Sequence, residues 1–230
     1  MDAKPPYSVI GTPFSTFTRT ITLGLQHKGL RYTQISTPPQ TETAFSGHPF
    51  GYLPTLVIHR EHEGMGKPDI KLRESQAIVR FIDRLAPDPS LHLHMWKDVV
   101  EVEEKMWEFV SFAASFGFPM IEATVVKPRV KALDEGTLTE DEIRAQIKDG
   151  LEEMKKYLKV AESLMAPNGY VFGETLTWAD FFLYPLMADL RMVPEWEVVS
   201  DRLKKWTKKM DQLPAVQATK AGTLSVGARP

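Results

Sequence analysis

The chain has 230 residues, 43% of them apolar and 25% charged, with 28 Lys and Arg against 30 Asp and Glu. That is the composition of a folded globular protein, long enough for one large domain or two small ones. A net charge of −2 supplies no attraction to nucleic acid or an anionic membrane, and the lack of cysteine excludes disulfides, thiolate metal sites and cysteine nucleophiles. The residues after Met1 carry no signal-peptide core, and no apolar run approaches the roughly 20 residues that span a bilayer, so a cytoplasmic protein is expected.

Residues 7–10 read as a short strand ended by Gly11-Thr12-Pro13. Residues 16–28 read as a helix with Phe17, Ile21 and Leu25 on one face, Thr18 and Thr22 on another, and Gly29 as its stop. Residues 30–36 alternate as a second strand. The polar, proline-rich residues 37–47 read as loop or a short irregular helix. Residues 55–59 and 69–72 pair as a hairpin with a long exposed loop, and Ala77, Ile78, Phe81, Ile82 and Leu85 recur at helical spacing over residues 75–85.

Pro87-Asp88-Pro89-Ser90 is the clearest linker. Beyond it the pattern is helical: residues 96 to about 116, residues 139–164 with Thr139 and Glu142 spaced as a capping box, residues 177–187 with Thr177 and Asp180 spaced alike, and residues 200–210. Gly150 interrupts the second of these. The predicted organisation is α/β followed by all-α: a β-α-β-β-β-α domain over residues 1–86, a linker at 87–95, a helical bundle over 96–218 and a weakly ordered tail at 219–230.

Three stretches of the first domain suit chemistry. Gly11-Thr12-Pro13-Phe14-Ser15-Thr16 places hydroxyls at a strand-to-helix turn, where a helix N-terminus favours an anion; Ser15 or Thr16 also suits a plain helix cap. Leu53-Pro54 stands directly before a buried strand, where a proline cannot donate to a ladder. A cis bond there would expose the Leu53 amide and carbonyl to an extended peptide; an ordinary trans proline is the alternative. Glu74-Ser75 opens a helix and offers a carboxylate for an ammonium beside a hydroxyl for a carboxylate, or simply a cap with a solvated Glu. The close histidine pairs, His59 with His62 and His92 with His94, lack arranged carboxylates and read as surface residues, so no metal site is expected.

In this order and spacing the three stretches resemble the glutathione transferase family. Phe50-Gly51-Tyr52-Leu53-Pro54-Thr55-Leu56 is similar to the family's glycine–x–apolar–proline segment, Glu74-Ser75-Gln76-Ala77-Ile78 to its glutamate–serine segment, and Leu176-Thr177-Trp178-Ala179-Asp180 to the capping box of its helical domain. Residues 11–19 resemble the serine-type classes, phi and theta, and several fungal relatives are broadly similar. The resemblance implies a thioredoxin-like first domain and glutathione as co-substrate. It implies that Ser15 hydrogen-bonds the glutathione sulfur, that Leu53 before a cis Pro54 pairs with the cysteinyl part, and that Glu74 and Ser75 hold the γ-glutamyl end. A hydroxyl donated to sulfur, with the helix N-terminus behind it, favours the thiolate over a thiol whose free pKa is about 8.5. Thr16 is the chief rival of Ser15, with Thr12 and Thr18 behind it.

The histidine and lysine usual at the glycyl end are missing from Pro39-Gln40-Thr41-Glu42-Thr43, and Tyr52 stands where a glutamine is common. Gln40 or Thr41, or else Arg60 or Lys67, would have to hold the glycyl carboxylate. Small hydrophobic electrophiles would lie between Phe14 and Phe17 on one side and Trp107, Phe109, Phe112, Phe116, Phe118, Pro119 and Met120 on the other, although core packing claims some of these rings. The resemblance also implies a homodimer. A glutathione-dependent peroxidase and a non-enzymatic carrier or interaction module of the same fold are the competing functions.

Overall fold

The computed structural model describes residues 4–60, 67–93 and 103–229. The chain forms two compact units, Met1–Ser90 together with Leu213–Pro230, and Leu91–Gln212.

In the first unit β1 (Tyr7–Ile10) is central, parallel to β2 (Tyr32–Ile35) and antiparallel to β3 (Thr55–Ile58), which pairs antiparallel with β4 (Ile70–Leu72); the sheet order is β2-β1-β3-β4. Val9, Leu56 and Val57 fill the core of the sheet. Helix α1 (Thr16–His27) connects β1 to β2, α2 (Glu42–Gly47) precedes β3, and α3 (Ser75–Leu85) follows β4. Thr41 caps α2, accepting from the Ala44 amide at 3.2 Å, so the stretch left open between loop and helix is a capped helix.

Lys28 closes the far end of α1. Its buried ammonium donates to the carbonyls of Ala86, Pro87 and Pro89 at 2.8, 3.3 and 2.9 Å and lies 3.1 Å from Asp83. A buried cation needs such an oxygen cage to offset lost hydration, and this one pins the start of the linker to the first unit. His59, expected at the surface, is 13% exposed at its side chain. It bridges Ser8 Oγ and Asp69 Oδ2, each at 2.8 Å, and Asp69 also accepts from the Arg60 amide. The His59 hydrogen bond first, then that amide, holds the Asp69 carboxyl below its usual range. Ser8 is only 5% exposed, so this line of bonds locks the hairpin. His62 and His94 lie outside the described residues.

The C-terminal segment is folded rather than a loose tail. It contains α9 (Pro214–Thr219) and a 3-10 turn at Leu224–Val226, with Thr223 and Leu224 buried, and Arg19 of α1 donates to Ser225 at 3.1 Å. The expectation of a weakly ordered tail over residues 219–230 is corrected: a buried arginine that needs acceptors holds the segment down.

In the second unit α4 (Glu103–Phe112) runs into a π-helix (Ala113–Val126) and then α5 (Lys127–Glu135). Pro119 inside it cannot donate an i→i−4 bond, which the wider π turn accommodates. This continuous stretch holds an 18-residue window of mean hydropathy 1.5, 44% of it buried in the protein. Ser111, Ser115, Glu122 and Thr124 keep every uninterrupted apolar run in it short, so the window is notable for its average hydropathy and not for run length. The segment packs on α6 (Glu140–Ser163) and α7 (Trp178–Leu190).

Gly150 does not interrupt α6. A Cβ there would meet the Thr124 side chain at 2.6 Å, so the glycine serves close helix contact. The α6 capping box is formed, with the Thr139 amide donating to Glu142 at 2.8 Å and the Glu142 amide to Thr139 Oγ1 at 3.4 Å. Every residue of α7 is buried. At its start Asp180 accepts four hydrogen bonds, from the amides of Val171 and Thr177, the Thr177 hydroxyl and the Trp206 indole, at 2.8 to 3.1 Å. Trp206 belongs to α8 (Asp201–Asp211), capped by Ser200.

Candidate functional site

The three expected stretches occupy three turns of the first unit. Ser15 is the N-cap of α1: its Oγ accepts from the Thr18 amide at 3.4 Å. A hydroxyl has one donor besides its acceptor sites, and the Ser15 proton has no acceptor among the described residues. Ser15 is half-buried, whereas Thr16 and Thr18 are 3% and 0% exposed. Thr12 accepts from the Phe14 amide at 3.3 Å.

The Leu53–Pro54 bond is cis. Leu53 is half-buried just outside β3, and its amide and carbonyl make no hydrogen bond among the described residues. Glu74 is the N-cap residue of α3 but makes no side-chain cap bond. The Ala77 and Ile78 amides donate to the Glu74 carbonyl, leaving the Ser75 and Gln76 amides without an intrahelical partner, and the half-buried Ser75 hydroxyl lies in that turn.

Backbone strain is concentrated here. Among the described residues two non-glycines have positive φ, Gln40 and Glu74, both at 62°. Such conformations cost about 1–3 kcal/mol and persist only where surroundings over-determine them. Gln40 is held twice by the segment before the cis proline: its amide donates to the Gly51 carbonyl at 2.9 Å and its side chain to the Phe50 carbonyl at 2.7 Å. Gly51 has φ 63°, and a Cβ there would meet Gln40 Cα and Phe45 at 3.1 Å, so glycine is required.

Two family models match the sequence: that of the Glutathione S-transferase N-terminal domain over residues 9–90, and that of the C-terminal domain over residues 141–209. The chain belongs to the glutathione transferase family.

Solved transferases share the fold at low identity. A glutathione transferase from Populus trichocarpa aligns with a TM-score of 0.73 at 22% identity, covering 93% of this chain and 97% of its own. A glutathione S-transferase I bound with lactoylglutathione aligns with a TM-score of 0.72 at 20% identity, covering 94% and 99%. A family member from Pseudomonas fluorescens with two glutathione bound aligns with a TM-score of 0.72 at 20% identity, covering 93% and 91%. No curated protein matches by sequence.

Within this transferase fold two of the four residues considered for the glycyl carboxylate, Gln40 and Thr41, are engaged internally. The Gln40 side chain donates to Phe50, and the Thr41 hydroxyl donates to the Pro38 carbonyl at 3.0 Å. Lys71 and Arg73 donate to the Ser46 and Gly47 carbonyls at 2.6 and 2.7 Å, at the C-terminus of α2. Lys67 is exposed, and residues 61–66 lie outside the described residues.

His48 escaped the sequence reading. It is 6% exposed, its Nδ1 accepts from the Phe50 amide at 3.1 Å, and its Nε2 lies 3.5 Å from Glu74 Oε1. A histidine directly before a Pro-Phe-Gly turn is the one signal that could have found it.

The expected electrophile wall divides. Phe14 and Phe17 are half-buried. Phe109 is core at 1% exposure, Phe112 stacks on Tyr157 with centroids 4.8 Å apart, and Phe116 is 50% exposed. The Trp107 indole donates to Glu103 at 2.8 Å. A cavity of about 330 Å³ in the second unit lies between α6 and the 3-10 turn Pro194–Val198, lined by residues including Ile147, Leu151, Pro194 and Val198, and none of these aromatics lines it. Among the described residues no group of three His, Asp or Glu side chains converges as a metal site.

Proposed function

We propose that this protein conjugates the thiolate of glutathione to small hydrophobic electrophiles, with the Ser15 hydroxyl donating to the sulfur. The observation that carries the reading is the Ser15 hydroxyl itself: half-exposed, at the positive end of α1, with its oxygen capping the helix and its proton without an acceptor among the described residues. Capping and catalysis use different atoms of one hydroxyl. The burial of Thr16 and Thr18 supports Ser15 over both rivals. Leu53 before the cis Pro54 supports docking of the cysteinyl backbone, and Glu74 with Ser75 at the open turn of α3 supports capture of the γ-glutamyl end.

The mechanism follows from charge. A hydrogen bond to the charged sulfur, added to the helix N-terminus, lowers the thiol pKa; each unit is worth about 1.4 kcal/mol and raises the thiolate fraction near neutrality about tenfold. The thiolate attacks an electrophilic carbon, a carbon–sulfur bond forms, and the leaving group departs with its electron pair. Phe14 and Phe17, half-buried on either side of Ser15, are proposed as apolar contacts for that carbon's carrier. Detoxification in the cytoplasm is the proposed setting. A homodimer is the proposed assembly, and the exposed rings of Phe50 and Tyr52, 68% and 61% accessible, are the surface a second copy would cover.

The test is turnover of a chlorinated aromatic with glutathione by the wild type, Ser15→Ala and Thr16→Ala, with an organic peroxide run in parallel. The expected result is a Ser15→Ala rate lower by about tenfold or more, with its pH midpoint raised and Thr16→Ala near normal. An unchanged rate and pH profile in Ser15→Ala sinks the assignment. Turnover of the peroxide alone favours the peroxidase, and glutathione binding without any turnover favours a carrier.

A further inference from the structure

Glu74 presents a puzzle of aim. Its side chain is 81% exposed, yet its backbone is held at φ 62° and ψ 114°, and its carboxylate does not cap the helix it opens. An exposed carboxylate on a flexible stem binds an ammonium weakly unless something fixes its direction, because freezing each rotor costs free energy.

His48 is the group in contact with it, and His48 is itself fixed. Its amide donates to the Ala44 carbonyl at 2.8 Å, its carbonyl accepts from the Gly51 amide at 2.8 Å, and its Nδ1 accepts from the Phe50 amide at 3.1 Å. Its ring lies 6.0 Å from that of Phe50 and 5.6 Å from that of Tyr52. Because Nδ1 is an acceptor, Nε2 carries the N–H of the neutral ring, and Nε2 is the atom 3.5 Å from Glu74 Oε1. At that distance the N–H faces the carboxylate as an electrostatic contact rather than a formed hydrogen bond, and a neutral group there steers a carboxylate without cancelling its charge. A lysine or arginine in the same place would neutralise it, and Arg73, the adjacent cation, is turned away onto the Gly47 carbonyl. Oε2 of Glu74 has no partner among the described residues.

We propose that His48 is a positioning residue that aims the Glu74 carboxylate at the α-ammonium of the bound γ-glutamyl group. The same ring ties Glu74 to the Phe50–Gly51 turn, and through that turn to Gln40, so both strained residues belong to one network. The inference rests on the glutathione reading given above.

The test uses two isosteres and two ligands in titration calorimetry. Asparagine at 48 keeps an acceptor for the Phe50 amide but cannot reach Glu74; glutamine keeps a donor near Glu74 but loses that acceptor. The ligands are glutathione and its glutaryl analogue, which lacks only the α-ammonium. The wild type should prefer glutathione. His48→Asn should reduce that preference about two- to threefold, the low end of what one polar contact contributes, His48→Gln should keep it, and His48→Asn added to Glu74→Gln should change nothing further. Equal weakening of both ligands by His48→Asn, or no change in the preference, overturns the inference while leaving the glutathione reading standing. A wild type that binds neither ligand overturns the reading itself and this inference with it.

Discussion

Asp180 and Glu74 are acidic residues at the starts of two helices, and they differ in every other respect. Asp180 is fully buried and accepts four hydrogen bonds from three segments of the second unit. Burial pushes its carboxyl up most, and the bonds from Trp206, Val171 and Thr177 pull against that. Glu74 is exposed, caps nothing and holds its backbone in a region that disfavours side chains. A buried acid whose acceptor capacity is filled holds a fold together. A strained acid with an unfilled oxygen costs stability, and strain of that kind gathers where a ligand is gripped.

The largest effect that sharpens this contrast is Asp180→Ala. It leaves four donors without their acceptor in a closed core and should cost about 3–5 kcal/mol, read as a fall in Tm of roughly 10 °C. Glutathione affinity of the folded protein should be unchanged. A small change in Tm would remove Asp180 from the role given to it.

Glu122 sits between the extremes. It is a buried acid of the π-helix, 3% exposed, with Oε1 unpartnered among the described residues. Burial, then the charge of Asp189, raises its carboxyl well above the usual range, and Lys127 opposes this. The folded state therefore keeps a proton that the unfolded chain has lost. Stability from this group is complete below the ordinary Glu range and is lost as pH rises through the raised value. Glu122→Gln should remove that loss, so its Tm advantage over the wild type should grow with pH. An advantage that does not vary with pH would contradict the assignment.

The smallest effect separates Glu74 most sharply from Asp180. Glu74→Gly relieves positive φ and should stabilise the protein by about 1 kcal/mol while weakening glutathione binding. Urea unfolding and calorimetry on one sample read both. Loss of stability would mean that the His48 contact outweighs the strain.

Local signals were the legible ones. The spacings of Thr139 to Glu142 and of Thr177 to Asp180 are fixed by a single helical turn, so both capping boxes could be read directly. The cis Leu53–Pro54 bond is one of two readings that the proline before a buried strand leaves open, and the family resemblance favours it. What the sequence concealed depends on residues distant along the chain. Gly150 is a helix breaker by propensity and a packing residue against Thr124 in the fold. The π-helix has the apolar content of an α-helix, and only its packing and Pro119 set it apart. The last residues are rich in glycine and small side chains, yet an arginine in α1 anchors them. At the site, Ser15, Leu53 and Glu74 each carried a local mark, whereas His48 matters through a carboxylate far along the chain.

The measurement that tests the central claim most directly is a pH titration of the ultraviolet thiolate absorbance of glutathione bound to the protein, in wild type and in Ser15→Ala. The free thiol ionises near about 8.5. The wild type should shift the bound thiol one to two units lower, and Ser15→Ala should return it most of the way. A bound thiol that titrates as the free one does, or a depressed value that survives Ser15→Ala, would contradict the claim that the Ser15 hydroxyl holds the sulfur as a thiolate.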